Sequence, residues 1–155
     1  LKLVKPEFLD ILNYAICSVA NDMLGSEGAK NFFRKVGEYH LEEAVRRGFI
    51  SLEGEKPLDV LLGIARYLED MGYMGKIEIE RLSNTEAIVT MREVTVTESS
   101  IRLLSRGREP SHFMTNLMFA ALRKLGIEAE LRELEAKPEE NMFREHWIIK
   151  KSIGQ

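Results

Sequence analysis

Three histidines, one cysteine and a short run of arginines are the side chains of this 155-residue chain best suited to chemistry. His40 falls among apolar positions of a helical stretch, beside Tyr39 and three residues before Glu43. A neutral imidazole there could ligate a metal or haem iron, or bind a small molecule. A metal pair on a helix needs a second ligand at i+3 or i+4. Glu43 supplies half of one and Ala44 nothing, so a boundary histidine with one hydrogen bond is the plainer reading. His112 opens a later helical stretch, where a helix N-terminus favours neutral imidazole and attracts anions; simple helix-end polarity is the alternative. His146 falls on the polar side of a strand and suits a cross-strand pair. Cys17 lies mid-helix in an apolar run, where a thiol is inert. As the only cysteine it excludes an intramolecular disulfide framework and a multi-cysteine zinc site.

Arg102, Arg106 and Arg108 cluster with Ser99, Ser100 and Ser105 just ahead of the His112 helix, the densest positive patch in a chain of net charge −3. Guanidinium forks together with helix amides could hold a carboxylate or phosphate. Alternatively, the arginines pair with Glu98 and Glu109 in a solvated turn. Phe113, Met114 and Met118, with Phe32 and Phe33 on an earlier helix, offer large, soft groups that adapt to apolar ligands, or that simply fill a core. The candidate ligand-binding set is therefore Phe32, Phe33, His40, Arg102, Arg106, His112, Phe113, Met114 and Met118. No set of residues reads as catalytic or as a metal site. The sequence has no phosphate-binding loop, no Gly-x-Gly-x-x-Gly, no His-Glu-x-x-His and no Gly-x-Ser-x-Gly, so no motif specifies a cofactor.

The elements that must position these residues follow from periodicity. Phe8, Leu12, Ala15, Val19 and Met23 repeat at helical spacing over 7–24, widened by Leu9, Ile16 and Ala20, so most of this first helix is expected to be buried. Pro6 precedes it and Gly25 stops it. Ser26 is the expected cap of a second helix over 27–47, with Ala29, Phe32, Phe33, Val36, His40 and Ala44 on one face. The short connection makes the two antiparallel neighbours. Gly37 inside that helix costs roughly 1 kcal/mol against Ala, and the usual reason to tolerate it is the close approach of another element. A third helix over 57–71 opens at Pro57 and buries Leu58, Leu61, Leu62, Ala65 and Leu68.

The period then changes from 3.6 to 2. Ile77 and Ile79 alternate with charge, Ala87, Val89 and Met91 follow, and Ser83-Asn84 between them reads as a hairpin turn. Residues 98–108 form a short helix or an ordered loop. Pro110 and Ser111 open a fourth helix over 111–125. Ile127, Ala129 and Leu131 make a third strand. Phe143, Trp147 and Ile149 make a fourth, whose apolar side Glu145 breaks once. The expected class is α+β, an antiparallel sheet of about four strands under a helical layer, in the order ααα-ββ-α-ββ and within one domain, 1–155.

Hydrophobic residues make up 45% and charged residues 30%, the balance of a soluble globular chain. The acidic charge argues against bulk nucleic-acid binding. Asp10, Asn13, Asn21 and Asp22 interrupt the longest apolar stretch, Phe8 to Leu24, so no membrane span is expected. The first residues lack a signal-peptide core, and a reduced, cytoplasmic protein is the expectation.

Residues 98–150 resemble the 4-vinyl-reductase-type domain, a predicted hydrocarbon-binding family related in fold to the small subunits of the TRAPP vesicle-tethering complex. The resemblance is carried by Phe113-Met-Thr-Asn-Leu-Met-Phe-Ala-Ala-Leu-Arg-Lys-Leu-Gly126, by the strand Ile127-Glu-Ala-Glu-Leu-Arg-Glu133, by His146-Trp-Ile-Ile149 and by the Gly37-containing helix. Family members often carry cysteines in the last hairpin; here His146 takes such a position, so thiol or metal chemistry is not carried over. The resemblance implies a domain that binds a small apolar or aromatic molecule between helices and sheet, often as a homodimer. The expected function is thus a non-catalytic small-molecule-binding module for an apolar or aromatic ligand with an anionic group, held by Arg102 and Arg106. Two alternatives stand beside it: an interaction subunit acting through a helical dimer interface, and a His40-dependent haem or metal sensor or enzyme.

Overall fold

A computed structural model describes residues 2–54 and 56–152. The first two expected helices are one assigned element, α1 (Pro6–Arg46), broken at Gly25, whose φ of 72° and ψ of 177° are not helical. A straight helix would separate Leu9 from His40 by about 46 Å at 1.5 Å per residue. Instead both line one cleft, and Cys17 and Ala20 pack in a cluster with Ala29 and Phe33. The two arms of α1 therefore fold back on each other at Gly25, where left-handed φ suits glycine.

Next come α2 (Pro57–Asp70), with proline in its first turn, and the hairpin β1 (Met74–Arg81) and β2 (Glu86–Val94). Residues 98–108, open between helix and loop from sequence, include α3 (Thr97–Ser105). Helix α4 (Phe113–Lys124) starts two residues later than expected, because His112 takes a left-handed conformation (φ 47°, ψ 45°) and serves as its N-cap. The second hairpin is β3 (Ile127–Lys137) and β4 (Met142–Ser152), with a single 3-10 turn at Pro138–Glu140 between them.

The fold is α+β. The two hairpins join through β2 and β4 into a four-stranded antiparallel sheet, order β1-β2-β4-β3. Helices α2 and α4 pack on the sheet, and α1 packs across α4 and α3. The main core lies between those helices and the sheet and includes Leu61, Ile64, Leu117, Met118, Val89 and Trp147. A smaller cluster under the arms of α1 holds Cys17, Ala20, Ala29, Phe33 and Leu103.

The first arm of α1 departs from expectation. Its apolar stripe faces solvent: Phe8 is 63% exposed, Ile11 71%, Val19 54% and Met23 76%. The buried face carries Asn13, Cys17 and Ala20. Beside its share of that smaller apolar cluster, it is held by specific polar contacts. The Asn13 side-chain amide donates to Ser99 Oγ at 2.8 Å, the Ser99 backbone N–H donates to Asp10, and Asn21 bonds the backbone of Glu109 through both its amide N and its carbonyl O.

Candidate functional site

Where the sheet, α3 and the start of α4 meet, they leave an apolar cavity of about 70 Å³. Met91, Val94 and Phe143 line it from the sheet, Ser100 and Leu104 from α3, and Phe113 and Met114 from α4. Tyr73 closes another side, with its ring edge-on to Phe113. One carboxyl stands in this lining. Glu145 is 1% exposed, and β4 aims it inward because residues 143, 145 and 147 share the face that packs on the helices. The Thr115 hydroxyl donates to Glu145 Oε2 at 2.6 Å, and the Trp147 indole N–H donates to Oε1 at 3.2 Å. Burial pushes the Glu145 carboxyl up from its ordinary value, only partly offset by those two hydrogen bonds.

Pro110, His112, Thr115 and Glu145 also form a wall of a neighbouring groove of about 510 Å³, whose lining mixes charged residues with Phe33, Phe119 and Leu131. Lys30, Arg34 and Glu27 face it from α1, Arg123 from α4 and Glu109 from the loop before α4. His112 Nε2 lies 3.5 Å from Glu109 Oε1. Burial, with Lys30 acting in the same sense, lowers the His112 imidazole and so favours the neutral ring. Burial also raises Glu109.

Of the expected ligand-binding residues, the structure brings His112, Phe113 and Met114 to the cavity. Phe33 lines the groove and stacks edge-on against Phe113. The others sit elsewhere. Phe32 is 40% exposed on the outer side of Phe33. Met118 is fully buried in the main core, because it is one turn beyond Met114 and faces the sheet. His40 lies at the junction of α1 and α2, its Nε2 2.6 Å from the Tyr67 hydroxyl, on clefts apart from the cavity. Burial lowers its imidazole. Arg102 and Arg106 do not line the cavity: Arg102 lies over the Tyr14 ring at 4.6 Å, and Arg106 donates to the Tyr14 hydroxyl at 3.0 Å. Their side of α3 faces the first arm of α1, not the sheet. Arg108 pairs with Asp22 and donates to the Ser18 carbonyl.

His146 pairs with Glu86 across β2 and β4, as a cross-strand pair. Cys17 is buried, with its thiol pushed up to about 11 by burial. Among the described residues no group of three His, Cys, Asp or Glu side chains is placed to hold a metal ion.

Site residues not singled out from sequence include Tyr73, Met91, Leu104 and Phe143 of the apolar lining, and the polar pair Glu145 and Thr115. The signal for Glu145 was present, a charged residue on the apolar side of a strand. Nothing local marks Thr115 as its partner 30 residues away.

No family model and no curated protein matches this chain. Solved structures do match in fold. An H-NOX structure from a study of haem distortion superposes with a TM-score of 0.58 at 10% identity, over 100% of this chain and 77% of that one. An H-NOX protein from S. oneidensis in an Fe(II)NO ligation state gives 0.59 at 12%, over 97% and 78%. The unliganded Fe(II) H-NOX protein from K. algicida gives 0.52 at 13%, over 79% and 64%. At these identities the likeness is one of fold.

Proposed function

We propose that the chain is a small-molecule-binding module without catalysis of its own, and that its site is the cavity under the start of α4. The observation that supports this reading is an apolar recess with a single buried carboxyl among its described lining residues, the lining chemistry of ligand sites on a small scale. The resemblance to hydrocarbon-binding 4-vinyl-reductase-type domains is part of the same proposal. A solution NMR titration of the full chain with isobutanol tests it, together with native against denatured mass of the freshly purified protein. Backbone resonances of Met91, Phe113 and Phe143 are expected to shift saturably. No shift at any of them, with no co-purified mass, would sink the reading.

The fold likeness to H-NOX domains favours a haem sensor as the second reading. The residues present do not fit the group. The cavity is about 70 Å³, roughly half the ~150 Å³ known to admit one benzene molecule. The larger groove beside it carries Lys30, Arg34 and Arg123 as well as Glu27, Glu109 and Glu145, but the one histidine among its described lining residues, His112, is turned to Glu109. His40 is bonded to Tyr67. Titration with haemin is expected to give no Soret band beyond that of the free pigment. A band lost in either His40→Ala or His112→Ala would establish the haem reading instead.

The expected homodimer also belongs to this proposal. Phe8, Leu12, Ala15 and Val19 are all exposed at spacings of four, three and four, the seam of a helix that packs on a helix. A second copy of this chain is the proposed occupant.

A further inference from the structure

The ligand-binding reading leaves the ligand's charge open, and the wall of the cavity bears on it. Among the described residues lining the cavity there is no Lys or Arg, and Glu145 is the one carboxyl. Its two oxygens each accept one hydrogen bond, from Thr115 and from Trp147. The indole N–H can only donate, so the oxygen it meets is held as an acceptor. The 2.6 Å separation to the Thr115 hydroxyl is that of a short hydrogen bond at a carboxyl group, and a bound cation would draw the acid to its ionised form against the burial that raises it. The donors of a carboxylate site are therefore in place, on an acid with 1% exposure, and no cation among the described residues pairs with it. Buried carboxylates are ordinarily matched by a positive partner. Glu145 is shared between two spaces: the groove, whose Lys30, Arg34 and Arg123 form no ion pair with it, and the cavity, whose described lining residues offer no cation at all.

Resting on the ligand-binding reading, we propose that the cavity takes a small organic cation, a primary ammonium or amidinium with a short apolar or aromatic tail, whose N–H groups ion-pair with Glu145. The aromatic groups of Tyr73, Phe113 and Phe143 provide the apolar contact and the ring partners such a cation favours. The volume limits the enclosed part to a few heavy atoms, and a longer tail leaves past Leu104, which lines the cavity and is 45% exposed. This charge is opposite to the anionic group expected from the arginine cluster, because Arg102 and Arg106 lie on Tyr14 rather than at the cavity. The competing account is that Glu145 is a structural acid, tying α4 to β4 with no ligand role.

Three probes of nearly equal shape decide it: isobutylamine, isobutanol and isobutyrate, titrated at neutral pH into the full chain and followed by the same NMR resonances. The amine is expected to bind about ten-fold or more tighter than the alcohol, the margin of a hydrogen bond to a charged group, and isobutyrate more weakly than either. In Glu145→Gln the amine's advantage is expected to vanish while the alcohol still binds. If amine and alcohol bind alike in the natural chain, or isobutyrate binds tightest, this inference is overturned and the binding module survives. If none of the three shifts a cavity resonance, this inference falls, and the binding module falls with it when no small molecule co-purifies. The comparison within the natural chain decides by itself should Glu145→Gln not fold. Thr115→Val then gives the second check, expected to weaken the amine more than the alcohol; equal weakening would count for the structural account.

Discussion

Glu145 shows how one residue couples the strand to the helix above it. The residue is fully enclosed, and burial raises its carboxyl above the ordinary 4.5. The unfolded chain releases that proton near the ordinary value, while the folded chain keeps it to higher pH. Stability from this group is thus complete below 4.5 and declines as pH rises through the folded value. Urea unfolding of the natural chain is expected to show this fall, and Glu145→Gln, which cannot titrate, a flatter profile. Because His40 and His112 are lowered, they contribute the opposite slope below 6.5, and only the difference between the two proteins isolates Glu145. Identical slopes would mean that Glu145 is already ionised in the folded protein. The break in the alternation of β4 was legible in the sequence, whereas the Thr115 and Trp147 donors that hold the side chain needed the fold. The same holds for the arginines: their charge density was visible, but not that Tyr14, 88 positions before Arg102, would be the ring beneath them.

At the scale of elements, Gly37 shows why a helix carries a residue that weakens it. A Cβ built there would stand 2.8 Å from the Asn116 carbonyl oxygen and 2.9 Å from its carbon, so α1 and α4 cross backbone to backbone. Alanine gains about 1 kcal/mol of helix propensity. It also forces two helices apart, and overpacking of this kind costs about 1–3 kcal/mol. Gly37→Ala is expected to be net destabilising, read as a lower urea midpoint with unchanged slope; a midpoint equal to or above the natural one would refute the crossing. That close approach was predicted from the glycine alone, but its partner was not. The change of period from 3.6 to 2 likewise located both hairpins and the helices around them. Which face of α1 turns inward was misread, since apolar spacing measures amphipathicity and not direction. The inward face is chosen by Asn13, Asp10 and Asn21, whose partners lie 86 to 89 residues on. A left-handed His112, which delays α4, is equally invisible to a pattern of residue types.

For the whole molecule, that inversion leaves an apolar stripe on the outside. Phe8, Ile11, Leu12, Val19 and Met23 are exposed along one arm of α1, and none of the described helices is long and apolar enough to cross a membrane. Contiguous exposed apolar surface of this kind marks an interaction site. Its three- and four-residue spacing suits a helical partner, and a second copy brings the same stripe by two-fold symmetry. The stripe and the cavity lie on different sides of α1 and α3, so association need not occlude the ligand. Light scattering at micromolar concentration is expected to give a dimer for the natural chain and a monomer for the pair Ile11→Glu and Val19→Glu. Both positions are more than half exposed, so the monomeric variant should stay within about 0.5 kcal/mol of the natural stability. It should also retain its affinity for isobutylamine. A natural chain that is monomeric throughout that range would remove the second copy as the occupant. A variant that stays dimeric would move the interface off this stripe.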